Sequence, residues 1–260
     1  MASKEQASKT TDNNEEKAPS MLPLFYTSPA PLDKVKHVNL GLNANFSLDF
    51  AKGINAVPVN LIELPQICHY YPVAFSPDEN ATPVAILGLR DKENLFVNEK
   101  GEWAAGTYIP AYIRRYPFIF SELPNTEQLT LCVDMNDKVV SEDSTQKFFN
   151  EDGTATDLAT NALEFCKSYH AAAQQTIEFS KALAESGLLV DRQAEIEVKG
   201  GKRISFSGFR ILDEKKFTSL SDEEFLKWRQ KGWLPFLYAH LFSGGQWQRL
   251  TRLLGERESA

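Results

Sequence analysis

Residues 101–118 read GEWAAGTYIPAYIRRYPF and hold five aromatic residues, two prolines and two adjacent arginines. Pro110 suits the first turn of a helix, because its ring fixes φ near the helical value. Pro117 blocks the continuation of such a helix. The pattern predicts a single helical turn over AYIRRY at 111–116, set between strands.

The overall composition is typical of a soluble globular protein. Of the 260 residues, 42% are hydrophobic and 24% are charged, and the 17 phenylalanines predict a core built on aromatic rings. The formal net charge of −7 disfavours binding to nucleic acids and anionic membranes, because that affinity comes largely from Lys and Arg. We therefore expect no nucleic-acid partner.

The cysteines and the N-terminal residues indicate the compartment. Cys68, Cys132 and Cys166 are far apart and odd in number, so we expect reduced, buried thiols rather than a disulfide framework or a zinc site. Residues 1–20 lack the apolar segment of a secretion signal and predict a disordered, solvated tail. No run approaches the roughly 20 apolar residues of a membrane helix. These features predict a cytoplasmic protein without membrane insertion; association with the cell surface stays open.

The chain divides into a β-rich and a helix-rich part within one predicted α+β domain, residues 21–254. Short segments separated by Pro, Gly and Asn predict strands over 21–140, whereas 154–254 is richer in helical patterns. The last residues, 255–260, are polar and predict a frayed tail. The candidate strands are 34–40, 71–75, 83–89, 94–97, 118–120 and 129–134.

The helix-rich part has clear boundaries. Apolar residues at helical spacing predict one long helix over 156–186, and Gly200-Gly201 predicts the turn of a β-hairpin with a bulge or strand end at Gly208. Ser221 and Glu224 have the spacing of a capping box and predict a helix that ends at Gly232. Two short helices are expected over 233–242 and 246–254. The predicted fold is thus a β-rich N-terminal half packed with a long central helix, a β-hairpin and a helical C-terminus.

The sequence contains no recognisable catalytic, metal-binding or nucleotide-binding motif. The four histidines are scattered and none belongs to a metal-binding spacing, so we expect no metal and no cofactor. His69 has the most unusual surroundings, next to Cys68 and two tyrosines. A Cys68/His69 nucleophile pair has weak support, however, because neighbours on an extended strand point to opposite faces.

The arginine pair is the strongest candidate for a binding site. Arg114 and Arg115 are flanked by Tyr112 and Tyr116, and guanidinium and phenol groups together recognise carboxylates, phosphates or peptides. The alternative is structural, with one arginine paired to an internal carboxylate or backbone carbonyl and the rings in the core. His69 is added to this set as a further candidate.

Several segments together resemble the SapC family of bacteria. They are YYPVAF at 70–75, NLFVNEKGEW at 94–103, TYIPAYIRRYPF at 107–118, Gly208-Phe209 with Asp213-Glu214-Lys215, and GWLPFLYAHLFSGGQWQRL at 232–250. The most specific element is YIPAYIRRYPF. The resemblance implies an association with surface-layer or secretion gene systems, and it supplies no catalytic residues.

Three functional hypotheses follow. The first is an accessory or binding protein for a peptide, a protein or an acidic small molecule, with Arg114, Arg115 and the neighbouring tyrosines at the site. The second is a hydrolase or peptide-modifying enzyme whose site is assembled around His69. The third is structural assembly in a surface layer, which requires ordered self-association, so a homo-oligomer stays open.

Overall fold

The computed structural model describes residues 22–122, 129–198 and 202–259, and its fold is α+β, as the sequence predicts. The expected N-terminal tail over 1–20 and the Gly200-Gly201 turn lie outside the described residues. The strands are β1 (Pro29–Pro31), β2 (Gly41–Leu42), β3 (Ala56–Pro58), β4 (Val73–Phe75), β5 (Pro83–Ile86), β6 (Phe118–Glu122), β7 (Leu129–Asp134), β8 (Val140–Ser141), β9 (Gln146–Lys147), β10 (Leu189–Val198) and β11 (Lys202–Leu212). The α-helices are α1 (Leu64–Ile67), α2 (Ala111–Arg115), α3 (Asp157–Glu185), α4 (Glu214–Thr218), α5 (Asp222–Gln230), α6 (Leu234–Ser243) and α7 (Gln246–Arg257).

The described strands form antiparallel sheets that mix the two parts of the chain. One sheet has the order β10-β11-β4-β5-β3, so that the late hairpin extends a sheet begun by early strands. A second sheet has the order β1-β7-β6, and a third the order β8-β2-β9. The β-rich and helix-rich parts are therefore joined through a shared sheet rather than through a linker alone.

Helix α3 begins and ends where the sequence predicts. The Thr156 side chain accepts a hydrogen bond from the Ala159 amide and caps the N-terminus, which satisfies one of the free N–H groups of the first turn. Gly187 follows the C-cap with φ of 70°, a conformation that glycine adopts without a steric penalty. The first half of α3 buries Ala159 and Cys166, and the second half buries Phe179 and Leu183.

The hairpin and the next helix also confirm the local predictions. The pairing shifts where Ser207 and Gly208 stand opposite Gln193, between the Arg192↔Phe209 and Ala194↔Phe206 pairs, and Gly208 has φ of 80°. This is the expected bulge. Helix α5 carries the predicted capping box, and the chain leaves it at Gly232. Cys68, Cys132 and Cys166 are free and buried, as expected.

The predicted strand over 34–40 is wrong. These residues form consecutive turns, because the Asp33 carboxylate accepts hydrogen bonds from the Val35 and Lys36 amides at 2.8 and 2.9 Å. The His37 amide in turn donates to the Asp33 carbonyl. A side chain that bonds to nearby amides offers the backbone an alternative to a strand ladder.

The segment 94–97 and the expected tail from 255 also differ from the sequence predictions. The segment 94–97 is not a strand, because the buried Asn94 side chain accepts from the Phe96 amide and donates to the Ala51 carbonyl; only Val97 pairs, as an isolated bridge to Trp103. The expected frayed tail from 255 is helical as far as Arg257.

Helix α2 lies at the junction of two hydrophobic cores. Its Tyr112 and Ile113 belong to the larger core, which is built on the five-stranded sheet and α3, α6 and α7. Tyr116, directly after the helix, belongs to the smaller core around β6, β7 and the first half of α3. The short helix predicted from YIPAYIRRYPF therefore connects both cores, and its side chains point into different surroundings.

Candidate functional site around helix α2

A buried carboxylate holds the N-terminal end of α2. Glu63, only 5% exposed, lies in a short 3₁₀-helix and accepts the Ala111 amide at 2.8 Å through Oε1. The same oxygen accepts the Tyr108 hydroxyl at 3.3 Å, and Oε2 accepts the Asn60 amide at 3.3 Å. Burial raises the pKa of this carboxyl group, because a low-dielectric environment disfavours the charged form, and the donors only partly offset this. We call this cluster, Glu63 with Asn60, Tyr108 and Ala111, the Glu63 niche.

A second buried carboxylate lies beyond the C-terminal end of α2. Asp134, the last residue of β7, is fully buried and accepts the Tyr116 hydroxyl at 2.8 Å. It also accepts the Thr27 amide at 3.0 Å and the Asn136 side-chain amide at 2.8 Å. Tyr116, a candidate site residue, is therefore directed to Asp134 and away from the arginines.

Arg114 is exposed, and its polar atoms are used locally. Its Nε donates to the Ile109 carbonyl at 2.9 Å, and its Nη2 donates to the Tyr108 hydroxyl at 2.8 Å. The guanidinium also lies over the Phe165 ring, 5.1 Å from its centroid. Through Tyr108 the arginine is connected to the Glu63 carboxylate. This arrangement matches the structural alternative, in which one arginine binds a backbone carbonyl.

Arg115 occupies a different environment, a cage of three tyrosine rings. Its guanidinium carbon lies 4.3 Å from the ring centroid of Tyr169, 4.7 Å from that of Tyr112 and 5.7 Å from that of Tyr26. Such contacts are favourable because the ring faces carry partial negative charge. We call Arg115 with these three tyrosines the Arg115 niche.

The charge of Arg115 lacks a counter-charge in the described part of the chain. No carboxylate among residues 22–122, 129–198 and 202–259 forms an ion pair with it, and its buried Nε has no hydrogen-bond partner there. A buried donor without an acceptor costs about 1–3 kcal/mol, so the native fold usually satisfies such groups. The niche thus presents a planar cation with unused hydrogen-bonding capacity.

The groups around Arg115 are uncharged at neutral pH. Burial raises the pKa of the Tyr26, Tyr112 and Tyr169 phenols, and the neighbouring guanidinium only partly opposes this effect. Burial also raises the pKa of the adjacent Cys166 thiol to about 11. The niche therefore combines one positive charge with neutral phenol and thiol groups, which favours the binding of an anion and provides no activated nucleophile.

His69 lies apart from α2, exposed after the short helix α1. The neighbouring Cys68 thiol donates to the Pro65 carbonyl at 3.3 Å, and burial raises the pKa of this thiol. A nucleophilic cysteine needs the opposite shift. Within the described ranges no group of three His, Cys, Asp or Glu residues could hold a metal ion.

The structure thus brings together two of the five candidate residues, Arg115 and Tyr112. The sequence analysis missed Tyr26 and Tyr169, which complete the cage, and Glu63. Tyr169 had a signal as a member of the apolar stripe of α3, whereas nothing local marked Tyr26 or Glu63, whose partners lie 92 and 48 positions along the chain.

Comparisons with known proteins give one match. The family model described as SapC matches residues 32–250, which is most of the chain. No curated protein and no solved structure matches. Among the helices that the structure describes, none is long and apolar enough to span a membrane.

Proposed function

We propose that this chain, which belongs to the SapC family, is a binding protein that recognises an acidic group with Arg115. The acidic group is a carboxylate or a phosphate carried by a peptide, a protein or a small molecule. The site is the Arg115 niche, with the three tyrosines as its walls. The activity is recognition rather than catalysis.

The observation that carries this proposal is that no carboxylate in the described part of the chain pairs with Arg115 and that its buried Nε has no acceptor there. A guanidinium group presents donors in a planar fork that matches the two oxygens of a carboxylate or phosphate. Here the rings of Tyr112 and Tyr169 pack against the guanidinium at 4.7 and 4.3 Å and restrict its motion, so less conformational entropy is lost when a ligand binds. An acidic ligand would supply the hydrogen-bond acceptor that Arg115 lacks in the described part of the fold.

The cellular setting is proposed from the family and the composition. We propose a place in a surface-layer or secretion gene system from the family resemblance, and a partner other than a nucleic acid from the net charge of −7. A cytoplasmic location is likewise a proposal. A protein of net charge −7 attracts an acidic ligand poorly at long range. Recognition therefore depends on short-range contacts at Arg115.

The hydrolase hypothesis has no specific observation in its favour. Such an enzyme needs a base within hydrogen-bond reach of a nucleophile. His69 is exposed, and the adjacent Cys68 thiol is buried, bonded to a carbonyl and shifted towards a higher pKa. We therefore prefer the binding function.

Calorimetric titration tests the proposal with three defined probes: citrate, inorganic phosphate and trialanine, whose free C-terminus is a carboxylate. We expect saturable binding of at least one probe. Arg115→Met should weaken it about tenfold or more, because a hydrogen bond to a charged group contributes about 1.5–3 kcal/mol.

Arg114→Met is the matched control, since it removes the neighbouring charge but leaves the cage intact. It should change the affinity by less than about threefold. The melting temperature of Arg115→Met should change little, because the substitution also removes the unpartnered Nε. The proposal fails if the wild-type protein binds none of the probes, or if both substitutions weaken binding equally.

A further inference from the structure

A cavity of about 790 Å³ is lined by Tyr116, the residue that follows Arg115 in the chain. Its lining combines four aromatic rings, Phe25, Phe46, Phe50 and Tyr116, with a rim of amide, hydroxyl and charged groups. Arg115 is not part of it. This volume falls within the range of small-molecule sites in proteins, about 300–1,000 Å³.

Phe46 lies nearly parallel to two of the other rings in this wall. Phe46 stacks on Phe50 with ring centroids 5.8 Å apart and on Tyr116 at 5.9 Å, with interplanar angles of 19° and 27°. The ring centroids of Phe50 and Tyr116 are 4.3 Å apart, and the two planes are tilted by 42°. Phe46 and Phe50 stay partly exposed although they pack beside a core, so their apolar surface is available to a ligand.

Phe25 stands at the cavity wall in an unusual backbone conformation, with φ of 81°. A bulky residue seldom adopts a positive φ, and strain of this kind is concentrated at binding sites. Edge-to-face contacts with Phe50 at 4.9 Å and with Tyr116 at 5.9 Å hold the ring in place. The strained backbone thus positions a fourth ring over the cavity.

The rim offers both donors and acceptors and little net charge. The side-chain amide of Asn45 is exposed and has no hydrogen-bond partner among the residues that the structure describes, whereas its backbone amide donates to the Asn43 side chain. Asn136 donates to Asp134 and Thr27, which leaves its position fixed beside the opening. The Asp49 carboxylate is already paired with Lys52 at 2.8 Å, so it contributes little free charge.

We propose that this cavity binds a neutral, polyhydroxylated ring, that is, a sugar residue. The C–H faces of such a ring pack on aromatic faces, while each hydroxyl can both donate to and accept from amide and hydroxyl groups of the rim. A purely apolar ligand would leave the exposed side-chain amide of Asn45 without a partner. A charged ligand gains little, because Asp49 is paired with Lys52 and the remaining rim charges, Asp137 and Lys138, are of opposite sign. The cavity is a site separate from the Arg115 niche.

The test is calorimetric titration of the full-length protein with glucose, galactose, N-acetylglucosamine and cellobiose, each up to about 10 mM, a range suited to the weak affinities of single small ligands. Trialanine and citrate serve as comparison ligands of other classes. We expect saturable binding of at least one saccharide. Phe46→Ala should weaken it about tenfold or more, and Asn45→Ala about threefold or more.

Phe242→Ala is the matched control for the lost ring, since Phe242 is 72% exposed on α6, outside the cavity lining. It should leave saccharide binding unchanged. If Phe46→Ala does not fold, the exposed Asn45→Ala decides the question. Arg115→Met should leave saccharide binding within about threefold, so this site and the acidic-ligand site fail or succeed separately.

The proposal is overturned if no saccharide binds the wild-type protein in this range. It is equally overturned if a saccharide binds but neither cavity variant weakens its binding. The same holds if Phe46→Ala weakens the binding of trialanine and of no saccharide.

Discussion

The Glu63 niche and the Arg115 niche lie on two sides of the same short helix, and they differ in how completely the fold satisfies their polar groups. In the Glu63 niche a buried carboxylate receives three donors, and the nearby Arg114 is connected to it through Tyr108. In the Arg115 niche a guanidinium is surrounded by rings and lacks a counter-charge in the described chain. The first arrangement is satisfied within the fold, whereas the second leaves the buried Nε of Arg115 without an acceptor among the described residues.

Helix geometry explains why two adjacent arginines take such different roles. Successive helical residues are rotated by about 100° around the axis, so Arg114 and Arg115 cannot share a face. Arg114 is turned towards Tyr108 and solvent, and Arg115 is turned towards Tyr26 and Tyr169. Two adjacent arginines on a helix should therefore be assessed as two separate candidate sites.

The largest expected effect is on stability, in the Glu63 niche. Glu63→Ala removes the acceptor of the Ala111 amide, the Tyr108 hydroxyl and the Asn60 amide, and we expect the free energy of unfolding to fall by about 3 kcal/mol. Chemical denaturation measures this change. A loss below about 1 kcal/mol would show that the niche does not hold α2 in place.

A smaller effect is the pH dependence that Glu63 contributes. Its pKa in the folded protein lies above that of an unfolded glutamate, about 4.3, so the folded state retains a proton that the unfolded state releases. The contribution of this group to the free energy of unfolding is full below about pH 4.3, the pKa of the unfolded glutamate, and is lost as the pH rises through the pKa of the folded state. Denaturation curves at successive pH values should show this decline.

Glu63→Gln should remove that part of the pH dependence, because the amide does not titrate in this range. The exposed Glu164→Gln is the matched control and should leave the pH profile as it is. If Glu63→Gln and the wild-type protein gave superimposable profiles, the buried carboxylate would not carry the effect.

The sequence predicted the elements whose signals are local. The capping residue Thr156, the Ser221 and Glu224 pair, and Gly208 each define a boundary through neighbours a few positions away. The α+β fold and the helical turn of α2 followed from such signals. The strand expected at 34–40 failed because Asp33 forms its own turn with nearby amides.

The parts that could not be predicted depend on contacts between distant segments. Glu63 meets Ala111 across 48 positions, and Asp134 meets Thr27 across 107. No spacing pattern in the sequence predicts such pairs, because the fold brings them together and the local sequence does not. For the same reason the sequence drew attention to Arg115 and Tyr112 but could not identify Tyr26 and Tyr169 as the rest of the cage.

The most direct test of the Arg115 niche is a crystal structure of the protein grown in the presence of selenate, an anion whose selenium atom is located by anomalous scattering. We predict an anomalous peak within about 4 Å of the Arg115 guanidinium, seated beside Tyr112 and Tyr169, and no equivalent peak at Arg114. A structure in which a carboxylate of the chain itself is bound to Arg115, or in which selenate occupies other arginines and leaves Arg115 empty, would contradict this account.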